Sequence, residues 1–335
     1  MMKKLAVLAV AASLGSLAHA DSSNVNVYGV MDAYVGSFNA KGGQHVSGVH
    51  SNGLTESRLG LKGTEDLGNG LKAVFALEMG PLSVDSAENG LATSRQAYVG
   101  LTDARYGSLT MGTLRSPASD WSTSYSALAG SAFDPMANGA KVGFGIQAND
   151  RLDNAVSYVA PSVAGVTPKL TYAQVNEGPT AATRMNVVVA SADWQQGPLA
   201  VGGVYREVST DHGQREFGVG AAYTLPQAKL MATYQQRKAE GVDSAIDRLY
   251  GVSAVVPVST RANVIGSASY LNAGRSSDAV AAYTVAYTYD LSKRTTVYAA
   301  ASYADGKNVG ANMGDVTAVP VGDASGVGGG LRVAF

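Results

Sequence analysis

Val25-Asn26-Val27-Tyr28-Gly29-Val30-Met31-Asp32-Ala33-Tyr34-Val35 decides how the rest of the chain is read. Val25, Val27, Gly29, Met31, Ala33 and Val35 fall on one face of an extended strand, and Asn26, Tyr28, Val30, Asp32 and Tyr34 fall on the other. That period of two belongs to a strand and not to a helix. The same alternation closes the chain, where Val327, Gly329, Leu331, Val333 and Phe335 oppose Gly328, Gly330, Arg332 and Ala334. It recurs at Phe217, Val219, Ala221 and Tyr223, and at Tyr283, Val285, Tyr287 and Tyr289. Each strand has one apolar, Tyr-ended face and one face of Gly, Ala, Ser, Thr and charge. A water-soluble sandwich needs large aliphatic and aromatic side chains on its inner face. A barrel in lipid reverses this, with an apolar band outside, Tyr at the band edges and a small, polar lining. The expected fold class is therefore all-β, a transmembrane antiparallel β-barrel.

Turn signals set the strand count. Short ones occur at 64–70, 102–107, 161–167, 195–198, 225–228, 256–259 and 290–294. Longer polar stretches lie between them, near 39–53, 81–93, 116–150, 176–183, 209–213, 238–245, 271–279 and 304–324. Seven short turns alternating with eight longer loops make sixteen strands, with both termini on the short-turn side. An even count with that asymmetry is the outer-membrane pattern, and 16 strands enclose a water-filled channel.

Composition fits this reading and excludes others. An apolar content of 46% and a net charge of −1 exclude disorder. The absence of Cys excludes a disulfide scaffold, a thiolate metal site and a Cys nucleophile. Lys3 and Lys4, the apolar run Leu5–Leu14 and Ala18-His19-Ala20 form a secretory signal over 1–20. That leaves a barrel domain over 21–335. Without the two lysines the net charge falls to −3, which argues against a nucleic-acid partner.

Three segments carry a likeness. Ser57-Arg58-Leu59-Gly60-Leu61-Lys62-Gly63-Thr64-Glu65-Asp66-Leu67-Gly68-Asn69-Gly70-Leu71-Lys72-Ala73, Arg95-Gln96-Ala97-Tyr98-Val99-Gly100-Leu101 and Leu291-Ser292-Lys293-Arg294-Thr295 resemble the general diffusion porins of Gram-negative outer membranes, β-proteobacterial type. The resemblance runs from 21 to 335. It implies a homotrimer of 16-stranded barrels in outer-membrane lipid, periplasmic termini, and a third loop folded into each pore as a constriction. It also implies that the terminal aromatic, Phe335, is the assembly signal read by the barrel-assembly machinery.

The third loop is 116–150, whose 35 residues include Trp121, Tyr125 and Phe133. Connections beyond about 12–15 residues are usually functional or disordered, and those aromatic residues disfavour disorder. Strand parity places Glu56, Arg58 and Lys62 inside, opposite Leu59 and Leu61. Family parity points Arg95 inward with Ala97 and Val99. On the strand after the loop, Leu152, Val156 and Tyr158 are expected outside, with Arg151, Asp153 and Ser157 inside. Arg58, Arg95, Arg151 and Lys62 are thus the candidate pore-lining basic groups. In the family, acids on the third loop face such a ladder, and Asp120, Asp134 and Asp150 are the candidates. Opposed charges create a transverse field that sets ion preference without tight binding. Lys72 and Glu78 read as a compensated lumen pair. His45 and His50 are loop histidines that make a poor metal site. Gly218-Val219-Gly220 lacks the third glycine of a dinucleotide site, which leaves those glycines as lining or bend residues. No catalytic residue, cofactor or metal is expected.

The function expected is passive diffusion of ions and small hydrophilic solutes, with weak anion selectivity. The alternatives are a substrate-specific sugar or organic-acid channel, which calls for aromatic tracks beyond Tyr28 and Tyr34, and a barrel enzyme built around His212.

Overall fold

The computed structural model describes residues 24–42, 45–85, 94–139, 146, 151–176, 184–209, 213–239, 246–274, 279–306 and 323–335. The secretory segment expected at 1–20, Asp150 and His212 lie outside the described residues.

The strands are β1 (Asn24–Ala40), β2 (His45–Ser51), β3 (Arg58–Gly68), β4 (Leu71–Met79), β5 (Ser94–Asp103), β6 (Gly107–Arg115), β7 (Arg151–Val159), β8 (Val166–Asn176), β9 (Arg184–Gln196), β10 (Leu199–Ser209), β11 (Gln214–Thr224), β12 (Lys229–Ala239), β13 (Ile246–Pro257), β14 (Ala262–Asn272), β15 (Ala279–Asp290), β16 (Thr295–Gly306) and β17 (Ala324–Ala334). Two helices, α1 (Pro117–Tyr125) and α2 (Pro135–Gly139), lie between β6 and β7. From β3 to β17 each strand pairs antiparallel with its sequence neighbour, and β1 pairs with β17, which closes the sheet. β1 pairs with β3 along its first half and with β2 along its second. β2 and β3 are therefore two pieces of one stave, and the closed barrel has sixteen.

All seven short connections expected from sequence are the ones found. The β3–β4 hairpin turns through Asn69 and Gly70 at φ 54° and 88°, the positive φ that a tight hairpin requires. Gly197 serves the β9–β10 turn at φ 55°. The outer surface carries the alternating apolar face, with Val25, Val27, Val35, Val219, Val285, Val327 and Phe335 all exposed. Apolar surface on that scale needs a lipid covering. Among the described residues no helix is long and apolar enough to cross a membrane; the strands are what cross.

The interior is not empty. α1 packs on β8 to β12 and α2 on β14 to β16, so the segment between β6 and β7 crosses to the opposite wall. It builds two buried clusters there. One gathers Trp121, Tyr125, Ile146 and Leu152, and the other gathers Tyr34, Phe38, Phe133, Met136 and Tyr298. Gly218 and Gly220 prove to be the bed for this segment. A Cβ on Gly220 would stand 2.5 Å from Tyr125 Cγ, and one on Gly218 would stand 3.0 Å from the Trp121 ring.

Two parity expectations fail, each at a bulge. In β5 the ladder passes from Glu78↔Gln96 to Met79↔Ser94, leaving Arg95 as an extra residue. Gln96 therefore shares the inner face with Glu78, while Ala97 and Val99 oppose the outward Leu77 and Phe75. In β7, Asp153 and Asn154 together oppose Thr113, with Asn154 at φ 49°. The extra residue turns Leu152 into the inner cluster and leaves Asp153 exposed, with its carboxylate accepting from Thr113 at 2.9 Å. Val156 and Tyr158 face out and Ser157 is buried, as expected.

Candidate functional site

Charged side chains face the interior on two stretches of the barrel. Arg206 pairs with Glu216 and Arg237 with Asp247 on β10 to β13, and a larger cluster in which basic groups outnumber acids lies on the wall from β3 to β8. Arg58 is the first residue of β3, and its Nε stands 3.5 Å from Glu78 on β4. The bulge at Arg95 keeps that side chain inside together with Gln96, although Ala97 and Val99 further along the strand point out. Arg95 Nε donates to Glu78 Oε1 at 2.8 Å, and its Nη1 pairs with Glu56. Arg151, the first residue of β7, reaches the same Glu56 at 3.8 Å. Tyr28 on β1 donates to the other Glu78 oxygen at 3.0 Å. The three arginines thus meet around two wall carboxylates, Glu56 and Glu78, and not around acids on the loop. Lys72 is not the partner of Glu78; it sits exposed near the short-turn end, opposite Asp66. Lys62 places its ammonium 5.1 Å from the centroid of the Tyr28 ring, a cation–π arrangement on the same wall.

The loop acids divide. Asp120 lies in the first turn of α1. Ser116 caps that helix by accepting from the Ala118 N–H at 3.2 Å, and Pro117 opens it, so a carboxylate there also suits the helix dipole. Asp120 pairs with Arg115 at 3.0 Å and with Lys169 of β8 at 3.6 Å. Lys169 also stands 3.7 Å from Asp193 on β9. Asp134 is completely buried; its Oδ1 accepts from Met136 N at 3.0 Å at the start of α2, away from the arginines. Burial pushes its carboxyl up to about 7.

Sequence reasoning missed Arg115, Lys169, Asp193 and the role of Glu78. Arg115 is cross-strand partner of Arg151 in the β6–β7 ladder and so extends the same basic wall. Lys169 was readable from the inward alternation Thr167, Lys169, Thr171 on β8, and Asp193 from Val187, Val189, Ser191, Asp193 on β9. Beside α1 a cavity of about 440 Å³ is lined by Lys169, Asp193, Lys229 and Tyr125. The wall holds five basic groups, Arg58, Arg95, Arg115, Arg151 and Lys169, in contact with four carboxylates, Glu56, Glu78, Asp120 and Asp193. Lys62 adds a further positive charge. In such an arrangement basic and acidic groups pair at close range along a wet channel, and that local pairing keeps the binding of any one ion weak. Among the described residues there is no group of His, Asp and Glu placed to hold a metal.

The sequence profile of the Gram-negative porin family matches residues 5–309. An outer membrane porin protein of Bordetella pertussis is 30% identical, with 91% of this chain and 94% of that protein covered. Outer membrane porin protein 32 of Delftia acidovorans is 31% identical over 89% of this chain and 88% of its own length. The anion-selective porin from Comamonas acidovorans superposes with a TM-score of 0.79 at 25% identity, covering 94% of this chain and all of that one.

Proposed function

We propose that this chain, which belongs to the Gram-negative porin family, uses its β3–β8 wall to favour anions. It is a passive pore of the outer membrane, for ions and small hydrophilic solutes. The observation that carries the anion preference is the excess of basic over acidic groups on this wall: Arg58, Arg95 and Arg151 share only Glu56 and Glu78, and Arg115, cross-strand from Arg151, pairs with Asp120. The anion-selective character of the Comamonas porin supports it. Arginine suits the wall because it keeps its charge when crowded by other cations.

In the same proposal the barrel domain, 21–335, follows a cleaved secretory segment and assembles as a homotrimer without catalytic activity or cofactor. Phe335 serves as the signal for the assembly machinery. Substrate-specific transport through an aromatic track is not favoured. Among the described residues Tyr34, Phe38, Trp121, Tyr125, Phe133 and Tyr298 face the interior but are buried under the loop, which leaves Tyr28 and Tyr98 as part-buried lumen rings on the charged wall, too few for a track.

Reversal potential across a planar bilayer under a salt gradient tests the wall. Wild type should read as weakly anion-selective. Replacing Arg58, Arg95 and Arg151 together with Gln should carry the potential to the cation side, and an unchanged potential removes these residues from the mechanism. Conductance appearing in steps of three would support the trimer.

A further inference from the structure

The stave made of β2 and β3 is broken at 52–57. Cross-strand pairing runs Ala33↔Ser51 on one side of the break and Val30↔Arg58 on the other, so six residues stand opposite Met31 and Asp32 alone. The surplus folds inward, where the amides of residues 53–55 have lost their ladder partners. Buried amides must find acceptors elsewhere. Here a single side chain collects them. Asp32 is completely buried, and its Oδ1 accepts from Gly53 N at 3.1 Å and Tyr298 Oη at 2.5 Å. Its Oδ2 accepts from Leu54 N and Thr55 N, both at 2.9 Å. Ser57 locks the exit by donating to Asp32 O at 3.2 Å and accepting from Asp32 N at 2.9 Å. The next side chain after these amides is Glu56, the carboxylate shared by Arg95 and Arg151.

We infer that Asp32 is a positioning residue for ion selectivity: it folds the 52–57 break so that Glu56 lies against Arg95 and Arg151, and thereby trims the positive charge of the basic wall. The inference rests on the wall reading above. Carboxylate acceptors bonded to several N–H groups hold backbone more firmly than neutral ones. An isosteric amide at position 32 keeps the shape but loses acceptor capacity where three consecutive N–H groups converge. The segment then relaxes, Glu56 withdraws, and Arg95 and Arg151 lose a counter-charge.

Reversal potentials of Asp32→Asn, Glu56→Gln and the double variant test this, with heat-resistant migration on gels confirming that each barrel is folded. Glu56→Gln should shift the potential toward anions, Asp32→Asn should shift it the same way by a comparable amount, and the double variant should go no further than Glu56→Gln. Two results would overturn the positioning role. One is an unchanged potential in folded Asp32→Asn, and the other is a full additional shift when Asp32→Asn is added to Glu56→Gln, which would mean that Asp32 acts through its own charge. A silent Glu56→Gln would also sink it. Failure of the wall reading is a different result, an unchanged potential in the triple arginine variant.

Discussion

Asp134 shows how far a residue type can mislead about its task. An aspartate in a constriction loop reads as a pore charge, yet this one is sealed beneath the loop, with Oδ2 lacking a hydrogen-bond partner. A protonated carboxyl fits that site better than an ionised one, which is why its titration is pushed up to about 7. The folded state then holds a proton that the unfolded chain releases above the ordinary aspartate range. The folded form binds more protons across that interval, so stability declines as pH rises from about 4 to about 7 and levels off above. Asp134→Asn keeps the acceptor that caps α2 and abolishes the titration. We expect its thermal midpoint in detergent, followed by tryptophan fluorescence at several pH values, to lack the decline seen in wild type. The same slope in both proteins would place the titrating group elsewhere.

At the scale of elements, alternation and turn chemistry carried most of the fold. The seven short turns and seven of the eight longer connections stand where Gly, Asn, Pro and polar runs put them, because a lipid-facing strand cannot hide its period. The first, expected at 39–53, shrinks to 41–44 because polar His45–Ser51 continues the ladder with β1, which puts His45 and His50 on a strand and not in a loop. What alternation could not carry was any extra residue. A bulge is one unpaired position with no composition of its own, and the two beside Arg95 and Asn154 inverted the expected faces of Ala97, Val99 and Leu152. The docking of α1 was equally invisible, since Gly218 and Gly220 look like ordinary lining until the Trp121 and Tyr125 rings occupy them. Two further bonds hold that helix to the far wall, Trp121 Nε1 to Gly202 O at 3.1 Å and Tyr125 Oη to Asp193 Oδ1 at 3.1 Å. Trp121→Ala removes a completely buried ring, a loss of about 3–5 kcal/mol by comparison with other large-to-small core changes. The loss falls on loop docking and spares the strand ladders. Single-channel recordings should show higher conductance and more open-channel noise from a barrel that still migrates as folded, whereas a quiet wild-type current would mean that α1 is held without Trp121.

The whole molecule sorts its chemistry by radius. Apolar side chains face lipid, and the β1–β17 seam is closed by Phe335, whose N–H and C=O both bond to Gly29 at 3.0 Å. Charge is turned inward, as two ion pairs on β10 to β13 and as an uneven cluster on the β3–β8 wall, where Arg58, Arg115 and Lys169 remain partly exposed to the channel while Arg95 is buried. This distribution fixes how selectivity must respond to salt. On the proposed reading the acids beside the arginines cancel most of the field at close range, and an ion feels a small excess of positive charge through water, over a distance set by screening. The Debye length is about 10 Å at 0.1 M salt and about 3 Å at 1 M. At the lower concentration the excess extends about 10 Å from the wall, and at the higher one about 3 Å, roughly the first layer of water. The anion-to-cation permeability ratio, measured at a fixed tenfold gradient, should therefore fall toward the ratio of free-solution mobilities as the mean concentration is raised from about 0.1 to about 1 M. A ratio independent of salt would locate the preference in direct contact at the narrowest point and not in the field of the wall.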